Sequence, residues 1–159
     1  MIREFKLCDI EPVMEIWASG NKGAHPFIPQ EYWEAHVPIV REQLLQANVY
    51  VFETGGMIRG FVGMQEDYLA GLFVKKEFRC MGVGKQLLDY IKARYTTLWL
   101  HVYQQNQRAV AFYQREGFGI AGEGADVETG TADYTMTWQR KAREFGKEKS
   151  SYGTACCGN

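Results

Sequence analysis

Leu69-Ala70-Gly71-Leu72-Phe73-Val74 runs into Lys75-Lys76-Glu77-Phe78-Arg79-Cys80-Met81-Gly82-Val83-Gly84-Lys85, and the fold turns on how this stretch is read. The opening run is almost wholly apolar, the pattern of a strand covered on both faces. From Gly82 a helix begins, with Val83, Leu87, Leu88, Ile91 and Tyr95 recurring at helical spacing. The glycines let backbone N–H groups point outward without Cβ obstruction. Placed at a helix N-terminus, those groups and the helix dipole favour an anion such as a pyrophosphate. A Walker loop is excluded, because Arg79 stands where its first glycine is required and Gln86 where its Ser/Thr is required. A dinucleotide fingerprint starting at Gly82 would place the bulky Leu87 where a small residue is needed. What remains, Arg79-x-x-Gly82-x-Gly84, is unspecific by itself.

Downstream, Leu98 to Val102 reads as a further strand, and Asn106 to Glu116 as a helix ended by Gly117. Phe118 to Ala125 and Tyr134 to Trp138 make a hairpin around Glu128-Thr129-Gly130. Upstream, Ile2 to Lys6 alternates like an opening strand, and Asp9 is placed to cap a helix with Val13, Ile16 and Trp17 on one face. Gly20-Asn21-Lys22-Gly23 is expected to stop that helix, and His25 to Pro29 to form a loop. Tyr32 to Ala47 looks helical, with Pro38 expected to kink or split it. Asn48 to Glu53 and Met57 to Gln65 pair through Thr54-Gly55-Gly56. From residue 140 the apolar period decays, so residues 1–139 are expected to form one domain and 140–159 a solvated, flexible tail.

Composition narrows the functional classes. The 18 basic and 19 acidic side chains of the 159-residue chain give a net charge of −1, without the basic excess of a nucleic-acid binder. No apolar run approaches bilayer length, and the N-terminus lacks a signal peptide's apolar core, so no membrane partner is expected. Cys8, Cys80, Cys156 and Cys157 form neither a disulfide framework nor a metal-ligand spacing. A cytoplasmic, metal-free protein is the expectation.

The second constellation gives the first its meaning. Asn106 and Tyr113 lie seven residues apart, two helical turns, and therefore on one face at one end of the sheet. An amide and a phenol along one groove suit a long, polar, thioester-bearing ligand. The order Val74, Arg79-x-x-Gly82-x-Gly84, Leu100-x-Val102, Asn106-x-x-Ala109-x-x-Phe112-Tyr113-x-x-x-Gly117-Phe118 resembles the GNAT superfamily of acyl-CoA-dependent N-acyltransferases over roughly residues 1 to 138. His25-Pro26-Phe27-Ile28 followed by Tyr32-Trp33 resembles its small stand-alone bacterial members of the YiaC and YjaB type.

The resemblance implies an α/β fold of the α+β kind. Its single domain would hold a central, mostly antiparallel mixed sheet of about seven strands flanked by about four helices, splayed between strands 69–74 and 98–102. It implies that acetyl-CoA is the acetyl donor. The backbone of Leu72, Phe73 and Val74 would pair with the pantetheine arm. The backbone from Arg79 through Cys80, Met81, Gly82, Val83 and Gly84 to Lys85 would hold the pyrophosphate, and Asn106 would contact the pantetheine–pyrophosphate side. Tyr113 would protonate the departing thiolate. Cys80 and Met81 depart from the residues common at their positions, which lowers expected phosphate affinity without removing backbone binding.

The chemistry agrees with this reading. A primary amine, pKa about 10.4, must lose a proton before attacking a thioester. The oxyanion needs a donor, which a strand N–H near Phe73 or Val74 could supply. The base is open between Glu66, at a strand turn beside Asp67, and His25, with a side chain that titrates near neutrality. His25, Phe27, Trp33 and His101 are candidates to line the acceptor site, and His36 and the Cys156-Cys157 pair look incidental. The acceptor is expected to be a protein lysine, a protein N-terminus or a small amine, reached in a ternary complex by a monomer or homodimer. The alternative is a non-catalytic acyl-CoA-binding sensor of the same fold, which would have no use for a leaving-group acid at Tyr113.

Overall fold

The computed structural model describes residues 1–141. Seven strands form one sheet: β1 (Ile2–Glu4), β2 (Asn48–Thr54), β3 (Met57–Gln65), β4 (Tyr68–Val74), β5 (Thr97–Tyr103), β6 (Gly119–Ala125) and β7 (Ala132–Gln139). Four α-helices accompany them: α1 (Ile10–Ala24), α2 (Gln30–Gln46), α3 (Val83–Lys92) and α4 (Gln107–Arg115). The strand order is β1-β2-β3-β4-β5-β7-β6. All neighbours are antiparallel except β4 and β5, which run parallel because α3 carries the chain back between them.

The alternation of side chains sends two apolar sets to opposite faces. On one face Leu72, Val74, Leu98, Leu100, Val102 and Met136 pack with Leu87, Leu88 and Ile91 of α3 and with Ala109, Phe112 and Tyr113 of α4. On the other, Val49, Val51, Phe61 and Phe73 pack with Val13, Ile16 and Trp17 of α1 and with Leu44 of α2. Strand β5 shows the rule plainly, with Leu98, Leu100 and Val102 buried and Trp99 and His101 exposed.

Three local expectations are corrected. Helix α1 does not stop at Gly20-Asn21-Lys22-Gly23 but continues to Ala24. A Cβ on Gly20 would come within 2.8 Å of the Phe73 ring, so this glycine permits close approach of helix to strand instead of ending the helix. Asp9 stands at the N-cap of α1 without capping it, because its carboxylate accepts hydrogen bonds from the Arg3 guanidinium at 2.8 and 3.0 Å and from the Lys6 amide at 2.7 Å. Helix α2 begins at Gln30 and runs unbroken through Pro38. Pro38 and Glu34, the residue whose carbonyl it leaves without a ladder donor, are both exposed, so water can replace the lost bond.

Arg140 remains tied to the domain, its amide bonded to the Thr96 carbonyl at 2.8 Å and its guanidinium to the carbonyls of Lys92 and Tyr95. The rest of the expected tail, with Cys156 and Cys157, lies outside the described residues apart from Lys141. No helix among the described residues is long and apolar enough to cross a membrane.

Candidate active site

Strands β4 and β5 meet at a single register pair, Tyr68 with Trp99, and then part. Asp67 fastens this closed end. Its carbonyl accepts from the Trp99 amide at 3.1 Å, and its carboxylate accepts from the Trp99 indole at 3.1 Å and the Thr97 hydroxyl at 3.2 Å. Beyond it the strands enclose a cleft of about 200 Å³, lined by Leu72 and Phe73 of β4, His101 and Tyr103 of β5, and Asn106 and Tyr113 of α4. Tyr113 is buried, and burial, helped by nearby Tyr68, pushes its phenol pKa upward. Its hydroxyl is therefore held protonated, the state a proton donor needs.

Past β4, Arg79 turns its guanidinium back to the Val74 carbonyl at 3.3 Å. Cys80 and Gly82 both adopt left-handed backbone, with φ of 63° and 81°. Gly82 is the N-cap of α3, which has neither a side-chain cap nor an acidic residue in its first turn. Gly84 lies buried in that turn. Among the described residues no side chain caps this helix start, and the backbone N–H groups of its first turn fit an anionic phosphate group. The Lys85 ammonium is directed at Asp89, 3.0 Å, and at the buried Glu116, 3.5 Å, so the backbone is the main donor here. Asn106 also lines a second hollow of about 460 Å³, together with Phe27, Arg79 and Arg108.

His25 sits in a chain of buried amides. The Asn21 side-chain amide donates to the Trp17 carbonyl at 3.0 Å, and its oxygen faces His25 Nδ1 at 3.1 Å. The Asn106 oxygen accepts from the Ala109 amide, as an N-cap should, and Asn106 Nδ2 faces His25 Nε2 at 3.2 Å. These partners assign the ring: Nδ1 carries the proton, Nε2 accepts, and the imidazole is neutral. Burial agrees, lowering the His25 pKa from 6.5 to about 4. The ring stacks on Trp33 and meets Phe27 and Tyr103 edge-on.

The structure thus brings His25, Trp33, His101, Asn106, Tyr113, Leu72 and Phe73 to one cleft. Phe27 and Arg79 lie in the adjoining hollow. Glu66, at a left-handed turn position with φ of 57°, lines a separate hollow with Gln46, Asn48 and Trp99. His36 is not incidental. Its Nδ1 meets the Tyr32 carbonyl at 2.7 Å and its Nε2 meets the Glu128 carboxylate at 3.0 Å. Burial opposes the charged ring, yet the Tyr32 and Glu128 bonds hold the His36 pKa above its ordinary value. With the Tyr32 hydroxyl, 3.1 Å from the same carboxylate, this pair ties the β6–β7 turn to α2.

Sequence reasoning missed Tyr68, Tyr103, Asp126 and Asp133, which line the same cleft. Asp133 is register partner to Tyr103 across β5 and β7, a pairing that no local sequence signal announces. The Tyr103 hydroxyl donates to Asp126 at 2.7 Å, and the amides of Glu128 and Thr129 donate to its other oxygen. Burial works against ionisation of Asp126, but these bonds hold its carboxyl below the usual range.

Comparison with known proteins agrees with this architecture. Residues 46–120, which span β2 to the start of β6, match the family model described as an acetyltransferase (GNAT) domain. The chain is 37% identical over 140 residues to the peptidyl-lysine N-acetyltransferase YiaC of Escherichia coli K12, covering 87% of this chain and 96% of that one. The solution structure of apo YjaB from Escherichia coli superposes with a TM-score of 0.78 at 24% identity, covering 89% of this chain and 98% of that one. The PaiA N-acetyltransferase of Thermoplasma acidophilum in complex with coenzyme A superposes with a TM-score of 0.72 at 19% identity, covering 87% and 98%. A split sheet with a glycine-bearing helix start beside it is a geometry several chemistries could borrow, but a sequence match along nearly the whole length is not, and by it this chain belongs to the GNAT acetyltransferase family.

Proposed function

We propose that this enzyme transfers acetyl from acetyl-CoA directly to the ε-amine of a polypeptide lysine in a ternary complex. The observation that carries the reading is the parting of β4 from β5 with buried Tyr113 at the gap. The lysine acceptor is supported by the similarity to YiaC, a peptidyl-lysine N-acetyltransferase.

The unpaired side of β4, from Leu72 to Val74, offers main-chain groups to the pantetheine amides, as an added strand would use them. The loop from Arg79 through Gly82 to Lys85 receives the pyrophosphate on the first N–H groups of α3, with Arg79 and Arg108 as flanking cations. Asn106 orients the ligand between these two regions. An N–H of β4 near Phe73 or Val74 receives the developing oxyanion. As the amine nitrogen forms its bond to the carbonyl carbon, the carbon–sulfur bond breaks, and Tyr113 gives its proton to the leaving sulfur. The acceptor nitrogen releases its proton to water at the cleft mouth. We assign that role to neither His25 nor Glu66, because both nitrogens of His25 are engaged and Glu66 lines the neighbouring hollow. His25, Trp33 and Phe27 serve as the acceptor-side wall.

The test is release of CoA thiol from acetyl-CoA with a lysine peptide, a free peptide N-terminus and a set of small amines. Turnover concentrated on the lysine peptide is expected. Tight acetyl-CoA binding with no thiol release on any amine would make the chain a sensor, and preference for a small amine would overturn the lysine assignment.

A further inference from the structure

Two carboxylates line the cleft, and they are not equivalent. Asp126 is spent, with the Tyr103 hydroxyl on one oxygen and the amides of Glu128 and Thr129 on the other. The carboxylate of Asp133 has no hydrogen-bond or ion-pair partner among the described residues. It lies over β6 at Gly124, where an added Cβ would come within 3.4 Å of its Oδ1, so a glycine there leaves the carboxylate its place. The rings of Tyr68, Tyr103, His101 and Trp33 line the same cleft, and among the described residues no lysine or arginine does. The surrounding charge has one sign: residues 117–139 contain Glu123, Asp126, Glu128 and Asp133 and neither lysine nor arginine. Tyr68 feels this field, for its pKa is raised by burial first and then by Asp133 and Asp126.

We propose that Asp133 binds the ammonium group of the incoming acceptor and gives the cleft its selectivity for a cationic amine. The inference rests on reading the cleft as the place where acetyl passes to an amine. A primary ammonium has three N–H donors and no acceptor, and at neutral pH it is the dominant form of a lysine side chain. Asp133 takes one donor, and the faces of the neighbouring aromatic rings attract the cation. The ammonium then gives its proton to water before its lone pair can attack. The nitrogen regains positive charge as it bonds to the carbonyl carbon, so Asp133 stabilises the bound ammonium and the transition state alike, and its effect falls on acceptor KM and not on kcat.

The experiment uses the full chain at saturating acetyl-CoA with a blocked peptide whose lysine supplies the sole amine. Asp133→Asn is expected to raise the acceptor KM about 10- to 100-fold, the scale of one charge-assisted hydrogen bond. The kcat should stay within about twofold, because the contact is made equally in the bound complex and the transition state, with acetyl-CoA KM and melting temperature unchanged. Asp133→Glu should recover part of the loss. A second measurement is calorimetric binding of n-butylammonium and of n-butanol to the CoA-saturated protein: the wild type should prefer the cation and Asp133→Asn should not. An unchanged acceptor KM, or an unchanged preference for butylammonium, in a folded Asp133→Asn protein overturns the proposal. If the wild type acetylates no lysine peptide, the lysine assignment fails, and Asp133 is judged on butylammonium binding alone.

Discussion

His25→Gln offers the sharpest test of the buried amide chain, because it removes a titrating ring and leaves a side chain that can still donate and accept. The wild-type ring is held neutral, with a folded pKa of about 4 against 6.5 in the unfolded chain. A depressed histidine pKa contributes stability fully present above pH 6.5 and lost as pH falls toward 4, since the unfolded state takes up the proton first. At 1.36 kcal/mol per unit, the loss amounts to about 2 kcal/mol by pH 5 and about 3 kcal/mol by pH 4. At pH 7.5 the glutamine variant should be the less stable, because it loses the stacking of the ring on Trp33. Urea unfolding of both proteins at pH 7.5, 6 and 5, followed by tryptophan fluorescence, should show the gap between them shrinking by about 2 kcal/mol, the figure the pKa difference sets. His36, whose raised pKa stabilises below pH 6.5 and ceases to do so as pH rises, is common to both proteins and cancels in the difference. So do the depressed carboxylates of Asp9, Glu53 and Asp126. A gap that stays constant over this range would mean that His25 protonates freely in the folded protein, and the assignment of its neutral tautomer would fall.

Tyr113→Phe keeps the ring and removes the hydroxyl, so kcat should fall by ~10²–10⁴-fold with acetyl-CoA affinity unchanged; a kcat within a factor of two of wild type would remove Tyr113 from the mechanism. Glu66→Gln should leave the pH profile of kcat/KM in place, and loss of its acidic limb would make Glu66 the base after all. Gly84→Val puts a branched side chain into the buried first turn of α3, and calorimetry should show CoA binding lost; intact affinity would refute the phosphate assignment. A chain ending after Arg140 keeps the bonds from that residue to Thr96, Lys92 and Tyr95 and should melt within about 5 °C of the full chain, a larger drop being equivalent to more than ~1 kcal/mol of packing from the remainder.

The parts of the fold carried by periodicity were legible from residues alone. Leu98, Leu100 and Val102 alternate with Trp99 and His101, and Val83, Leu87, Leu88 and Ile91 recur at helical spacing, and both faces lie where the pattern put them. Glycine proved ambiguous. Gly55 and Gly56 do turn a hairpin with positive φ, whereas Gly20 is an ordinary helical residue chosen for what it leaves out beside Phe73. The stretches expected to meet the acetyl donor, from Leu72 to Lys85 and from Asn106 to Tyr113, could be picked out because their residues sit close together in the chain. The meeting of the other cleft-lining residues could not. Asp133 reaches Tyr103 only through the register of β7 on β5, and His25 reaches Asn106 across 81 residues. No spacing within a sequence encodes such a meeting.

The single rung between Tyr68 and Trp99 makes the sheet two half-sheets that share a core but hardly a ladder. Along the rift the two halves are held by side chains such as Leu72, Leu100 and Val102, while among the described residues no strand pairs with the facing main-chain groups of β4 from Leu69 to Val74. Amide hydrogen exchange should therefore be uneven within one strand: slow for β4 groups locked to β3, and fast for those facing the rift. A ligand that lies in the rift and bonds to both edges would restore the missing rungs. The exchange map would then report the making of a continuous sheet out of two pieces, with the substrate itself as the strand between them.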